Sequence, residues 1–145
     1  MEAGSKVYCK SIGVYSSQLT KRKSYIIEKI NTDNVRVCND QGKLKWYSKF
    51  YFSPEQEPEI TSIHIDDEIK NPASDDIEVT ITFSNSDRYW LTFITPKYLE
   101  VFLETAPYFS SGHFMIVKNL SEEVIKDTIH KLDDQNELIS NCKKY

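Results

Sequence analysis

The stretch Ile77–Leu103, IEVTITFSNSDRYWLTFITPKYLEVFL, constrains the fold more than any other part of the chain. Ile77, Val79, Ile81 and Phe83 alternate with Glu78, Thr80 and Thr82. A period of two puts the apolar set on one face of a strand and the polar set on the other. Ser84-Asn85-Ser86-Asp87 is a turn by composition. Tyr89–Ile94 is apolar on both faces except at Thr92, and rich in aromatic and β-branched residues, which predicts a central strand covered on both sides. Thr95 is positioned to cap a helix, and Pro96 opens it at the one place where a missing N–H costs no intrahelical bond. Leu99, Phe102, Leu103 and Ala106 recur at helical spacing. They predict a helix folded back onto the sheet it has just left and ended by Pro107. Thr80, Thr82 and Thr92 make no polar constellation, so the stretch reads as structural core.

The chain before this stretch is a succession of short strands. Val7–Tyr15 suggests one or two, Tyr25–Ile30 and Val35–Cys38 one each, with Asn31–Asn34 as the turn between them. Asn39-Asp40-Gln41-Gly42-Lys43 is a hairpin turn, because Gly42 can supply the positive φ such turns need. Leu44–Tyr47 is the next strand, and Ser48–Phe52 closes the unit as a helical turn. Ser53–Glu59 holds two Pro and three Glu in seven residues and suits a short, stiff linker. Beyond it, Ile60–Ile65 predicts a strand and Asp66–Asp76 a polar, acidic loop. After the helix at Pro96, Tyr108–Gly112 reads as a loop and His113–Val117 as a strand. Ser121 caps a last helix whose Glu122 and Glu123 suit the positive end of its dipole. Leu120 and Ile125 can staple its start, and Val124, Ile125, Thr128, Ile129 and Leu132 form one buried stripe. Asp133–Asn136 ends it, and Glu137–Ile139 suggests an edge strand before the basic tail Lys143-Lys144-Tyr145.

The order Leu19-Thr20, strand, Asn/Asp turn, strand, Asp40-Gln41-Gly42-Lys43, strand ending in Trp46-Tyr47, then Phe50-Tyr51-Phe52 resembles the small SH3-like β-barrels of bacterial proteins. That resemblance spans about the first 52 residues, and no PxxP-binding role is carried over with it. The expected fold class is therefore α+β. Residues 1–53 form an SH3-like small β-barrel and 54–59 a linker. Residues 60–145 form an antiparallel-sheet domain, β-β-β-α-β-α, with two helices on one face.

Function is far less constrained. The four Gly are isolated, which leaves no phosphate cradle, and no Gly-x-Ser-x-Gly elbow marks a nucleophile. Cys9, Cys38 and Cys142 form no CxxC pair; Cys9 and Cys38 fall in expected strands and read as small core residues. No cofactor or metal is expected. His64 with Asp66 could begin a metal or enzyme site, but a third ligand has to come from elsewhere, and His113 and His130 qualify only by default. The net charge of −4 argues against a dedicated nucleic-acid binder. The residues that would serve one are Lys21, Arg22, Lys23, Lys45 and Trp46, where cations interleave with an aromatic ring. Asp66, Asp67, Glu68, Asp75 and Asp76 place five acids in an eleven-residue loop that could steer a basic protein partner. No apolar run is long enough to span a bilayer and no basic–apolar leader opens the chain, so the expected location is cytoplasmic.

A second likeness lies in Pro58-Glu59-Ile60-Thr61-Ser62-Ile63-His64, Asp76–Phe83 and Trp90-Leu91-Thr92-Phe93-Ile94-Thr95-Pro96-Lys97-Tyr98-Leu99. These segments resemble a family of bacterial immunity proteins from polymorphic-toxin loci, which turn from strand into helix through T/S-P-x-x-L. The resemblance implies a non-catalytic role, binding and blocking a cognate toxin. The resulting expectation is a cytoplasmic, non-enzymatic protein-binding module, of immunity type where the resemblance holds, using the acidic loop. One alternative is a nucleic-acid accessory protein acting through the N-terminal barrel. The other is an enzyme with its site near His64.

Overall fold

The computed structural model describes residues 1–110 and 113–145. The chain is sheet-rich α+β and divides into two compact units: Met1–Glu57 with Asp133–Asn136, and Pro58–Leu132 with Glu137–Tyr145. The expected loop Tyr108–Gly112 includes Ser111 and Gly112, which lie outside the described residues.

In the first unit, β1 (Lys6–Cys9), β2 (Ser24–Ile30), β3 (Asn34–Cys38), β4 (Leu44–Ser48) and β5 (Phe52–Ser53) form one antiparallel sheet in the order β4-β3-β2-β1-β5. The ladder is open, with β4 and β5 as its outer strands. A single 3-10 turn, Lys49–Tyr51, joins them; the Ser48 hydroxyl accepts from the Phe50 N–H (3.2 Å). Alternation fixes the core: Val7 and Cys9, Tyr25 and Ile27, Val35 and Val37, then Tyr47 and Phe52, all buried with Leu19. Of the one or two short strands expected in Val7–Tyr15, one forms, and it ends at Cys9. The chain turns at Gly13 (φ +53°), where a Cβ would meet the Tyr51 ring at 2.6 Å. Cys38 is exposed, not core, because Val35 and Val37 already occupy the inward positions of β3.

In the second unit, β6 (Ile60–Ile65), β7 (Asp76–Phe83) and β8 (Arg88–Ile94) pair antiparallel, from Thr82↔Arg88 to Asp76↔Ile94 across the β7–β8 hairpin. The helix α1 (Pro96–Thr105) leads to β9 (Phe114–Ile116), and α2 (Glu122–Asp134) leads to β10 (Lys143–Lys144). The sheet is mixed, not antiparallel throughout. β9 runs parallel to β8 in the register Thr92↔Phe114, while β10 pairs antiparallel with Tyr89 and Trp90. A parallel return needs a crossover, and α1 lies within it.

One face of this sheet carries Ile77, Val79, Ile81, Phe83, Leu91 and Phe93. They pack with Ile125 and Ile129 of α2 and with Leu120, Val117, Leu138 and Cys142. Ser121 caps α2 as its sequence predicts, accepting from the Val124 N–H (3.0 Å). The expected edge strand at Glu137–Ile139 is absent. Leu138 and Cys142 both turn into the core, which coils the segment between them into a 3-10 turn, Ile139–Asn141, and moves the pairing strand to Lys143–Lys144.

The largest departure is α1, which buries none of its residues. Its ring contacts run from Phe102 to Phe109 (5.3 Å between centroids) and on to Phe114 (5.5 Å). Met115, the neighbour of Phe114 in β9, packs instead against the α2 core. Successive strand residues face opposite ways, so α1 contacts the reverse side of the sheet and the two helices do not share a face.

Candidate functional site

The acidic loop begins where β6 ends and stops where β7 begins. Two of its carboxylates hold it in shape. Asp66 meets the His64 Nδ1 at 2.6 Å through one oxygen and accepts from the Thr80 hydroxyl (2.8 Å) through the other. Asp75 accepts from the backbone N–H groups of Lys70 (3.3 Å) and Asp76 (2.9 Å). Asp67 receives the Glu78 N–H at 3.4 Å. With Glu68, Asp76, Lys70 and Ile77 they line an open cleft of about 460 Å³. All five acids predicted from sequence thus share one surface. Among the described residues no group of three or more His, Cys, Asp or Glu is arranged to hold a metal ion. The His64 side chain is 73 % exposed and bonded to Asp66.

The same end of the sheet starts α1, because Asp76 lies opposite Ile94 in the β7–β8 register. The Thr95 N–H reaches the Asp75 carbonyl (3.4 Å), and the Thr95 hydroxyl caps the helix by accepting from the Tyr98 N–H (3.2 Å). The Tyr98 phenol titrates above its ordinary value. Burial contributes most, followed by the charge of Asp76 and a hydrogen bond to it, and then by Asp75. Past this joint the helix turns apolar side chains to solvent: Val101 is 49 % exposed, Phe102 37 % and Leu103 47 %. Tyr108 and Ile116 are exposed as well. Fully burying side chains of this kind is worth about 1.5–3 kcal/mol each, and that stabilisation is left unused here.

The helical spacing of Leu99, Phe102, Leu103 and Ala106 predicts a stripe turned onto the sheet. One signal pointed the other way: between Tyr98 and Leu103 only Glu100 is polar, so the helix is apolar around more of its girth than one buried stripe requires.

The basic residues of the first unit are engaged at home. The Lys21 side chain is 5 % exposed and is held by Glu57 (2.9 Å) and the Lys10 carbonyl (2.6 Å). Arg22 forms a two-pronged ion pair with Asp133, and Lys23 pairs with Asp40 (2.6 Å). Lys45 donates to Gln18 (3.1 Å) and lies over the rings of Tyr15 and Tyr47. Of the two aromatic residues on β4, Tyr47 is core and Trp46 is exposed. The sheet therefore does not assemble Lys21, Arg22, Lys23, Lys45 and Trp46 into one open cationic face.

The chain matches no protein-family model, no curated protein and no solved structure. Among the described residues no helix is long and apolar enough to cross a membrane.

Proposed function

We propose that this chain is a non-catalytic protein-binding module whose contact surface joins the exposed apolar side of α1 to the acidic loop Asp66–Asp76. The observation that carries this reading is the uncovered helix. Val101, Phe102 and Leu103 are exposed on a helix whose capping residue, Thr95, bonds the acidic loop at Asp75, next to a cleft lined by Asp66, Asp67, Glu68, Asp75 and Asp76. An apolar centre with a charged margin is the make-up of a protein-binding patch. The partner that fits presents apolar side chains framed by lysine or arginine, since the acids then steer encounter and α1 supplies the buried area. The resemblance to immunity proteins gives this reading its specific form, an inhibitor that covers a basic toxin. The cytoplasm suits it, because the free thiols Cys9, Cys38 and Cys142 stay reduced there. The strand order β4-β3-β2-β1-β5 with a 3-10 turn before β5 supports an SH3-like small-barrel arrangement for the first unit.

The pairing of Lys21, Arg22 and Lys23 with acids of the same unit weighs against the nucleic-acid alternative. Capture experiments with the wild-type chain and a Leu103→Glu variant test the proposal. A basic protein retained by the first and lost by the second, at unchanged melting temperature, is the expected result. An acidic partner, or equal retention by both chains, overturns it.

A further inference from the structure

We infer that the free edge of β6 accepts an added strand from a partner segment bearing lysine or arginine at each end. The backbone supplies the first argument. The Asp66 N–H donates to the Glu78 carbonyl (2.9 Å). Opposed residues in an antiparallel pair alternate between hydrogen-bonded and non-hydrogen-bonded. In the β6–β7 register, Ser62↔Thr82 and His64↔Thr80 are therefore the bonded pairs, and Ile63↔Ile81 and Ile65↔Val79 are not. The N–H and C=O groups of Ile63 and Ile65 point away from β7, to the side where no strand among the described residues pairs with β6. The opposite margin of the sheet is taken, since β9 and β10 lie one after the other along β8.

The side chains supply the second argument. Edge strands are usually blunted by lysine, proline or a bulge. Ile60–Ile65 has neither lysine nor proline, and its irregularity falls between Ile60 and Ser62, leaving Ser62–Ile65 regular. Beside it runs an open groove of about 240 Å³, lined by Ile60, Thr61, Ser62 and Ile63 of β6 and by Lys126 and His130 of α2. An extended segment laid along β6 gains main-chain bonds from Ile63 and Ile65 and side-chain cover from this groove.

Charge then selects the occupant. Exposed Glu59 precedes the strand, and Asp66, Asp67 and Glu68 follow it. A second copy paired antiparallel about Ile63 would set Glu59 of each chain against Asp67 of the other, at both ends, and opposed like charges destabilise a sheet. A segment with a basic residue at each end meets opposite charge at both. This site shares loop acids with the surface proposed above but does not use α1, so each can fail without the other.

The probe is a synthetic peptide of alternating valine and threonine with lysine at both ends, titrated against the intact chain at low ionic strength. Two controls accompany it, one peptide with glutamate at the ends and one N-methylated at alternate amides. The lysine-ended peptide should bind roughly tenfold or more tighter than the glutamate-ended one. It should slow amide exchange at Ile63 and Ile65, and it should bind equally well to Leu103→Glu. Glu59→Lys should weaken it and narrow the difference between the two charged peptides; Glu59 meets Ser84 only through its backbone N–H and C=O, so this exchange leaves the fold intact. Absence of binding, equal binding of the N-methylated peptide, or unchanged exchange at Ile63 and Ile65 overturns the inference.

Discussion

The Thr95 N–H donates to the Asp75 carbonyl (3.4 Å), joining the start of α1 to the acidic loop, and the charge of Asp76 bears on the Tyr98 phenol in the first turn. Asp76 begins β7 and Thr95 caps α1, so this joint ties the two halves of the proposed binding surface together. The fold holds this phenol in its neutral form, which is the form able to donate a proton to a carboxylate.

A pH dependence follows at Tyr98. Burial, then Asp76, raises the Tyr98 pKa above its ordinary value of 10.0. The stability it contributes is fully present below pH 10 and is lost as the pH climbs through the folded-state value. Tyr98→Phe should flatten this alkaline loss and leave stability near neutrality little changed. Urea titrations at a series of pH values between neutrality and the alkaline range measure both effects.

Leu103→Glu should change folding stability by less than about 1 kcal/mol, because a side chain already 47 % exposed gives up little buried area. Ile129→Ala, fully buried under the sheet, should cost about 2–5 kcal/mol. Chemical denaturation of the two variants side by side checks the contrast. A large loss for Leu103→Glu would mean that α1 is covered in solution.

The three thiols should separate by reactivity. Burial pushes Cys142 up to about 12 and Cys9 up to about 11, while Cys38 is exposed. Thiolate is the reactive form, so an alkylating reagent at mildly alkaline pH should label Cys38 alone until the chain unfolds. Both buried thiols favour the folded state fully below pH 9, and that contribution disappears as the pH rises through 11 and 12. Mass spectrometry of native and denatured samples reads the labelling.

Lys21→Ala should behave as a structural lesion, not a binding one. Its ammonium is nearly buried and held by Glu57 and the Lys10 carbonyl. Removing it leaves the acceptors short of a charged partner, at about 1–3 kcal/mol. A single-stranded oligonucleotide should show no saturable binding to wild type or variant at low salt. Saturable binding that weakens on this substitution would restore the nucleic-acid reading.

What was legible in the sequence is what depends on near neighbours. Alternation along Ile77–Phe83 gave the buried face of β7 directly, and Thr95-Pro96 and Ser121 gave two helix starts, because a strand face or a cap is set within four residues. The fate of α1 was not local. Whether Phe102 and Leu103 are covered depends on β9 returning parallel to β8, and nothing between Pro96 and Thr105 encodes that. The ion pairing of the basic cluster was not local either. The acids that neutralise Lys23, Lys21 and Arg22 lie 17, 36 and 111 residues further along the chain. The acidic loop was found because its charge is dense in sequence. Its division into carboxylates that brace the loop and carboxylates that face solvent needed Thr80 and the Lys70 and Asp76 amides in place.

The ten residues of α1 are shorter than a helix needs to persist alone in water, and no fully buried side chain anchors it. Its Thr95 cap and the edge-to-face ring contact of Phe102 with Phe109 oppose fraying. Coil–helix exchange in this segment should therefore be the cheapest opening in the second unit, visible as the fastest amide exchange of any helix there. A partner that reads α1 binds only the fraction of molecules in which it is wound, and its apparent affinity scales with that fraction. Substitutions that strengthen the helix without touching its apolar side, such as alanine at Glu100, would then tighten binding with no new contact made.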